Sequence, residues 1–237
     1  MKKGTLYLIP TPISEQQQMS DILLPDYLEL VSNLEYFVVE KGKVARKFLT
    51  QLPLKKKVQE LNIEELDKHS KEDLQKFLRP LLEGKDLGLM SDAGVPTVAD
   101  PGFKIVALAQ KHSIKVTPLV GPSSILLALM ASGLNGQSFT FHGYLSREKG
   151  LKRKKIKTLE RIAQNTNQTQ IFMETPYRNQ SMLEDILDVC EEETLLCIAM
   201  DIMGEKELLS TRSILEWKEV NINLEKKPCL FLINKNI

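Results

Sequence analysis

Residues 86–111 read Asp86-Leu87-Gly88-Leu89-Met90-Ser91-Asp92-Ala93-Gly94-Val95-Pro96-Thr97-Val98-Ala99-Asp100-Pro101-Gly102-Phe103-Lys104-Ile105-Val106-Ala107-Leu108-Ala109-Gln110-Lys111. An apolar run at 86–90 reads as a strand, and a loop dense in glycine and proline follows it. Phe103–Lys111 then places Ile105, Leu108 and Ala109 on one helical stripe. Strand, loop and helix in that order make half of a βαβ unit, and in a parallel sheet the loop at the strand's carboxyl end is where ligands sit. Gly94 and Gly102 admit backbone conformations that other residues resist, while Pro96 and Pro101 stiffen the path. Such a loop can hold N–H and C=O groups at fixed angles to a polar ligand, with Asp92 accepting from its hydroxyls. The plainer alternative is a turn in which Asp100 caps the helix and Pro101 takes its first position.

The same alternation extends in both directions. Thr5–Ile9 reads as a strand stopped by Pro10-Thr11-Pro12, with further strands at 36–40 and 115–119 and helical patterns at 43–52 and 64–82. Strands separated by helices of this length predict a mainly parallel sheet. Beyond an apolar helix at 123–132, closed by Gly133, the texture changes. Strands are expected at 139–143, 170–174, Leu195–Met200, 207–211 and 228–233, with helices at 150–164, 178–190 and 213–219. More strands per helix imply a mixed, partly antiparallel sheet. The expected fold class is α/β, with two α/β domains: 1–118, built on a mainly parallel sheet, and 119–237, built on a mixed one. The boundary falls near 118–121.

Composition narrows the function classes. A chain of 237 residues with 42% hydrophobic and 27% charged residues has room for one or two cored domains, which excludes a disordered, collagen-like or disulfide-stapled chain. With 32 Lys+Arg against 31 Asp+Glu, the formal charge of +1 excludes a uniformly basic protein but not a local basic patch. No apolar run approaches the roughly 18–20 residues of a membrane span, and the first residues lack a secretory h-region. No membrane partner is therefore expected. Cys190, Cys197 and Cys229 are scattered without zinc-site spacing, consistent with a reducing cytoplasm. His69, His112 and His142 are too dispersed for a metal triad, so no metal is expected. No Gly-x-Gly-x-x-Gly or Gly-Lys-Ser/Thr phosphate loop occurs.

Three further segments carry candidate chemistry. Val120-Gly121-Pro122-Ser123-Ser124 lies between a strand and a helix, and its hydroxyls are either ligand contacts or simple caps. Phe172-Met173-Glu174-Thr175-Pro176-Tyr177-Arg178 ends another strand, with Glu174 and Arg178 read as functional groups or as a salt-bridged helix start. The third is a basic run. Arg147, Lys149, Lys152, Arg153, Lys154, Lys155 and Lys157 face Glu148 alone, a local net of +6 within eleven residues. That density suits a polyanion, although charge runs are commonly just solvated helix faces.

Taken together, these segments resemble the tetrapyrrole methylase superfamily, the class III S-adenosylmethionine-dependent methyltransferases. Within it they look most like the bacterial small-subunit rRNA cytidine ribose 2′-O-methyltransferase branch. The matching marks are Leu6-Tyr7-Leu8-Ile9-Pro10-Thr11-Pro12-Ile13, the 91–102 loop, Gly121-Pro122-Ser123-Ser124, Phe141-His142-Gly143-Tyr144-Leu145 and Glu174-Thr175-Pro176-Tyr177-Arg178. They occur in the family's order over nearly the whole chain. The resemblance implies a ligand cleft between two domains that holds the methyl donor, S-adenosylmethionine, and a homodimer. Carried over by motif, the donor contacts are Pro10, Asp92, Val95, Ser123, Ser124, Phe172, Met173 and Met200.

The chain departs from the branch on what the resemblance makes the acceptor side. It has Ser14-Glu15-Gln16 where the branch has Gly-Asn-Leu, and Glu40-Lys41-Gly42-Lys43 where it has Glu-Asp-Thr-Arg. It also has Met200-Asp201-Ile202-Met203-Gly204 where the branch has Arg-Glu-Leu-Thr-Lys. A ribose hydroxyl is a poor nucleophile, so partial proton removal helps. Glu40 and Asp201 are the candidate bases, with Arg178 or Arg46 steadying a phosphate. Arg46, Arg147, Lys149, Lys152, Arg153, Lys154 and Lys155 are the candidate RNA contacts. The expected partner is ribosomal RNA or the small ribosomal subunit. Two alternatives stand beside it: a tetrapyrrole, corrinoid or other small-molecule methyltransferase of the same fold, and a catalytically silent RNA-binding module.

Overall fold

A computed structural model describes residues 2–66, 74–224 and 226–235. The chain divides into two compact units, Met1–Ser123 and Ser124–Ile237.

The first unit is built on β1 (Thr5–Ile9), β2 (Tyr36–Val39), β3 (Asn62–Glu65), β4 (Leu87–Met90) and β5 (Lys115–Pro118). All four pairings are parallel and the order is β3-β2-β4-β1-β5. Helices cover both faces, as a parallel sheet requires. On one side Ile9, Phe37, Val39 and Met90 pack with Met19 of α1 (Met19–Ile22), Val31 of α2 (Pro25–Ser32) and Ala45 and Leu49 of α3 (Gly42–Leu49). On the other, Leu6, Val38, Leu87 and Leu89 pack with Leu81 of α4 (Arg79–Leu82) and Ile105 and Ala109 of α5 (Phe103–Lys111). Gly88 makes the first layer possible, because a Cβ there would lie 2.6 Å from Ile9 Cδ1 and 2.9 Å from Phe37 Cδ1.

The helix expected over 64–82 is corrected. Asn62–Glu65 instead forms the sheet's edge strand, in register with Tyr36–Val39, since backbone pairing with β2 outweighs the helical pattern of its glutamates. A 3₁₀ turn, Leu74–Leu78, leads into the short α4, which has Pro80 in its first turn. Residues 67–73, His69 among them, lie outside the described residues. The α1 and α2 helices were not expected.

The second unit carries β6 (Phe139–Tyr144), β7 (Thr169–Glu174), β8 (Leu195–Met200), β9 (Leu208–Ser213) and β10 (Cys229–Asn234), in the order β6-β7-β10-β8-β9. Only β6–β7 is parallel, so this sheet is mixed, as its sequence texture implied. One face packs on α7 (Lys149–Thr166), α8 (Asn179–Val189) and α9 (Ile214–Lys218) through Ile156, Leu159, Leu183, Ile186, Ile214 and Trp217. Helix α6 (Ser124–Ser132) packs on β9 and β10, and Thr211 Oγ1 donates to its Ser132 carbonyl at 2.6 Å. Among the described residues, no helix is long and apolar enough to cross a membrane.

Candidate active site

In the first unit the carboxyl ends of β1, β2, β4 and β5 bring Pro10, Glu40, Asp92 and the Gly121–Ser123 loop to one sheet edge. The turns after the neighbouring strands β1 and β4 are pinned together. Thr11 N donates to the Gly94 carbonyl and Gly94 N to the Thr11 carbonyl, both at 3.0 Å. Ser91 Oγ donates to the same Gly94 carbonyl at 3.0 Å. Gly94 takes φ +75°, and a Cβ there would meet the Pro122 carbonyl oxygen at 3.1 Å. At Gly121 the approach is closer still, because a Cβ would lie 2.1 Å from Pro10 Cβ. The turns after β1 and β4 are thus locked backbone to backbone, and the loop after β5 packs against both.

Within the long loop, Thr97 and Ala99 hold left-handed φ values of 74° and 64°, a strained choice for residues with side chains. Asp100 braces them: Oδ2 accepts from Thr97 N at 2.5 Å and Oδ1 from Gly102 N at 2.6 Å. The helix cap expected of Asp100 and Pro101 is therefore corrected, since α5 begins two residues later, at Phe103. The carboxylate is spent on ordering the loop.

Asp92 N donates to Glu40 Oε2 at 2.9 Å, and the Asp92 carboxylate is ion-paired with Lys41 Nζ. Gly42 N donates to Glu65 Oε1 at 2.8 Å. Lys41 was missed from sequence; its signal was its place directly after the β2 strand, where the branch pattern has Asp. Val95 and Ser123 are half-buried on this edge, whereas Arg46 is exposed on α3, its guanidinium over Gly42.

In the second unit, β10 runs antiparallel to both β7 and β8, so Cys229 is aligned with Glu174 and with Met200. This single edge gathers Met173, Glu174, Arg178, Met200 and Asp201. Arg178 Nη2 lies 2.5 Å from Glu174 Oε1, which also accepts from Thr175 N at 2.6 Å. Asp201 is buried at φ +50° and accepts from Lys206 N at 3.1 Å, with Lys227 Nζ at 3.7 Å. The ring of Phe172 is fully buried and stacks on Phe231 with centroids 5.9 Å apart, which leaves only its backbone for a ligand. Ser124 opens α6 and is half-buried.

The basic run lies on and just before α7, but not all of it faces water. Lys152 shares the inward stripe with Ile156, Leu159 and Ala163, and its Nζ sits 2.6 Å from Asp185 Oδ2 on α8. Arg153 pairs with Asp185 at 3.4 Å and with Asp188, and Lys157 with Glu160 at 2.9 Å. Lys152 is thus removed from the expected RNA-contact set. Arg147, Lys149, Lys154 and Lys155 are exposed and make no ion pair among the described residues.

No group of three or more His, Cys, Asp or Glu able to hold a metal occurs among the described residues. Burial pushes the Cys190, Cys197 and Cys229 thiols up, away from the reactive thiolate, and burial pushes the half-buried His142 down. His142 Nε2 lies 2.8 Å from Gln170 Oε1.

The chain is 29% identical to the ribosomal RNA small subunit methyltransferase I of Vibrio cholerae, over 97% of its own length and 76% of that protein's. It is 32% identical to the protein of the same name from Halalkalibacterium halodurans, over 78% of its own length and 60% of that protein's. Among solved structures, uroporphyrin-III-C-methyltransferase from Thermus thermophilus matches 98% of this chain and 95% of its own, with a TM-score of 0.60 at 15% identity, a likeness of fold. A parallel sheet with interlocked carboxyl-edge loops, followed by a mixed five-stranded unit, is the two-unit α/β fold that the likeness to this solved structure shows. Residues 21–204 match the model of the Tetrapyrrole (Corrin/Porphyrin) Methylases, and the chain belongs to that family.

Proposed function

We propose that this chain transfers a methyl group from S-adenosylmethionine to small-subunit ribosomal RNA, at the ribose 2′-hydroxyl of a cytidine. The observation that carries the reading is the similarity to the rRNA methyltransferases named above, which in the Vibrio cholerae case runs over 97% of the chain. The exposed set Arg147, Lys149, Lys154 and Lys155 supports an RNA acceptor, because a polyanion is held by cations left without an acidic partner, as these are among the described residues.

The first unit's sheet edge fits a donor with a polar adenosyl body. Its loops approach at van der Waals distance, as the Gly121–Pro10 spacing requires, and they present backbone groups beside the Asp92 carboxylate. Pro10, Asp92, Val95 and Ser123 hold the donor there. Ser124, Met173, Met200 and the backbone of Phe172 are the candidate contacts of the second unit. When bound, S-adenosylmethionine supplies an electrophilic methyl on a positively charged sulfur.

The chain's own task is to orient the acceptor hydroxyl, exclude water from it and relieve it of its proton. Glu40 and Asp201 are the candidate carboxylates for proton removal, and Arg178, paired with Glu174, is the candidate for steadying a phosphate. The family reading also implies a homodimer, which sedimentation of the purified chain reads directly. The test of function is transfer of labelled methyl from S-adenosylmethionine to purified small ribosomal subunits, with the modified nucleotide mapped. Label at one cytidine ribose is expected. Label that enters a corrin or porphyrin instead moves the acceptor to a tetrapyrrole.

A further inference from the structure

The turn after β7 holds a feature that neither donor binding nor proton removal uses. Tyr177 is 80% exposed, the most exposed large hydrophobic side chain among the described residues. The backbone that carries it is braced. Pro176 confines Thr175 to extended backbone (φ −68°, ψ 146°), and Tyr177 occupies the middle of the 3₁₀ turn Pro176–Arg178. That turn is closed by Arg178 N donating to the Thr175 carbonyl at 2.9 Å and by Arg178 Nε donating to Thr175 Oγ1 at 3.2 Å. The ion pair of Arg178 with the buried Glu174 anchors it to the strand. The Lys226 ammonium lies 5.3 Å from the centroid of the Tyr177 ring. An exposed aromatic ring with a cation over one face, on a braced turn, combines the two elements by which single-stranded nucleic acid is held: an opposite π-face for a base and a positive charge for its phosphate. The braced backbone lowers the ordering cost of capture.

We propose that Tyr177 and Lys226 form a subsite for one unpaired RNA nucleotide, the base stacking on the Tyr177 ring and the phosphate meeting the Lys226 ammonium. This deepens the RNA reading above and rests on it. The subsite requires its target nucleotide to be out of a duplex, since a paired base offers no free face. Because every base has a π-face, it tolerates sequence, leaving nucleotide choice to other contacts.

The experiment is fluorescence anisotropy of a labelled oligouridylate of about ten nucleotides, titrated with the full chain over a range of salt concentrations. Wild type, Tyr177→Ala, Tyr177→Phe and Lys226→Ala are compared, with melting curves recorded for each. Tyr177→Ala is expected to bind about 5- to 150-fold more weakly, the range that loss of one base–aromatic stack brings, with its salt slope unchanged. Tyr177→Phe keeps the ring and is expected to bind within about threefold of wild type, a margin well below the loss of one stack. Lys226→Ala is expected to lower the log–log salt slope by about 0.7, one single-strand phosphate contact. Equal binding by wild type and Tyr177→Ala, absent binding included, overturns the subsite, as does equal loss in Tyr177→Phe and Tyr177→Ala. Methylation of ribosomal subunits by the same wild-type preparation separates the two failures. If it persists, only the subsite falls; if it is missing too, the RNA reading falls with it.

Discussion

Asp185→Ala tests the buried ion pair of the second unit. Lys152 Nζ lies 2.6 Å from Asp185 Oδ2, and the two side chains are only 7% and 3% exposed. Removing the carboxylate leaves an ammonium that is buried, unpaired and far from water, which destabilises by about 3–5 kcal/mol. The reverse change is milder. In Lys152→Met the stripe position becomes apolar, and Asp185 keeps Arg153 at 3.4 Å. The double replacement Lys152→Met/Asp185→Leu removes both charges and is expected within about 1 kcal/mol of wild type, or above it. Trp217, the chain's single tryptophan, is buried in the same core and reports this unit's unfolding by fluorescence. With a urea slope of about 2 kcal/mol/M, the Asp185→Ala midpoint drops by roughly 1.5–2.5 M. A loss under about 1 kcal/mol, the size of an exposed pair, would refute the reasoning and return Lys152 to the cations available for phosphate.

Gly121→Ala places a Cβ 2.1 Å from Pro10 Cβ, so the β5 loop must move. The expected result is a loss of about 1–3 kcal/mol of stability and a donor-induced rise in melting temperature at most half that of wild type. Glu40→Gln and Asp201→Asn separate the candidate bases: the true one lowers the methyl-transfer rate by about 10²–10⁴ while calorimetric donor affinity stays within a few-fold. Ellman's reagent is expected to find none of the three buried thiols in the native chain and all three after unfolding in guanidinium. His142 is harder to protonate folded than unfolded, so the unfolded chain binds the extra proton first. Its contribution to stability is full above the ordinary histidine range, falls as pH drops through about 6.5, and levels off below the lowered folded value. His142→Gln is expected to flatten that slope; an unchanged profile would assign it to other groups.

Much of this architecture is legible in the sequence because hydrophobic burial decides it. The Thr5–Ile9 and Leu195–Met200 strands are apolar runs bounded by breakers, and α5 and α8 carry clear apolar stripes. The strand Asn62–Glu65 is polar and sits at the edge, where backbone pairing rather than side-chain burial selects it, so periodicity misses it. The 91–102 loop can be read as a ligand loop from its Gly and Pro content. Its internal bracing by Asp100 depends on left-handed turns at Thr97 and Ala99, which composition does not reveal. The basic run shows the reverse error. Charge density alone counts Lys152 with its neighbours, yet its spacing of four from Ile156 and seven from Leu159 already puts it on the inward stripe. Likewise Phe172 matches a donor motif by position, while strand alternation turns its ring into the core against Phe231.

Two regions of the first unit compete as ligand sites. The carboxyl edge holds the interlocked loops, while a cavity of about 460 Å³ opens at the opposite, amino edge between Tyr7, Asn33, Glu35, Tyr36, Lys85 and Asp86. Backbone hydrogen exchange with and without saturating S-adenosylmethionine distinguishes them residue by residue. Slowed exchange is predicted at Thr11, Ile13, Asp92–Val95, Gly121, Ser123 and Ser124, with the amino-edge cavity unaffected. Unchanged exchange along those turns, or protection appearing around Tyr36 and Lys85 instead, would contradict a donor seated on the parallel sheet's carboxyl edge.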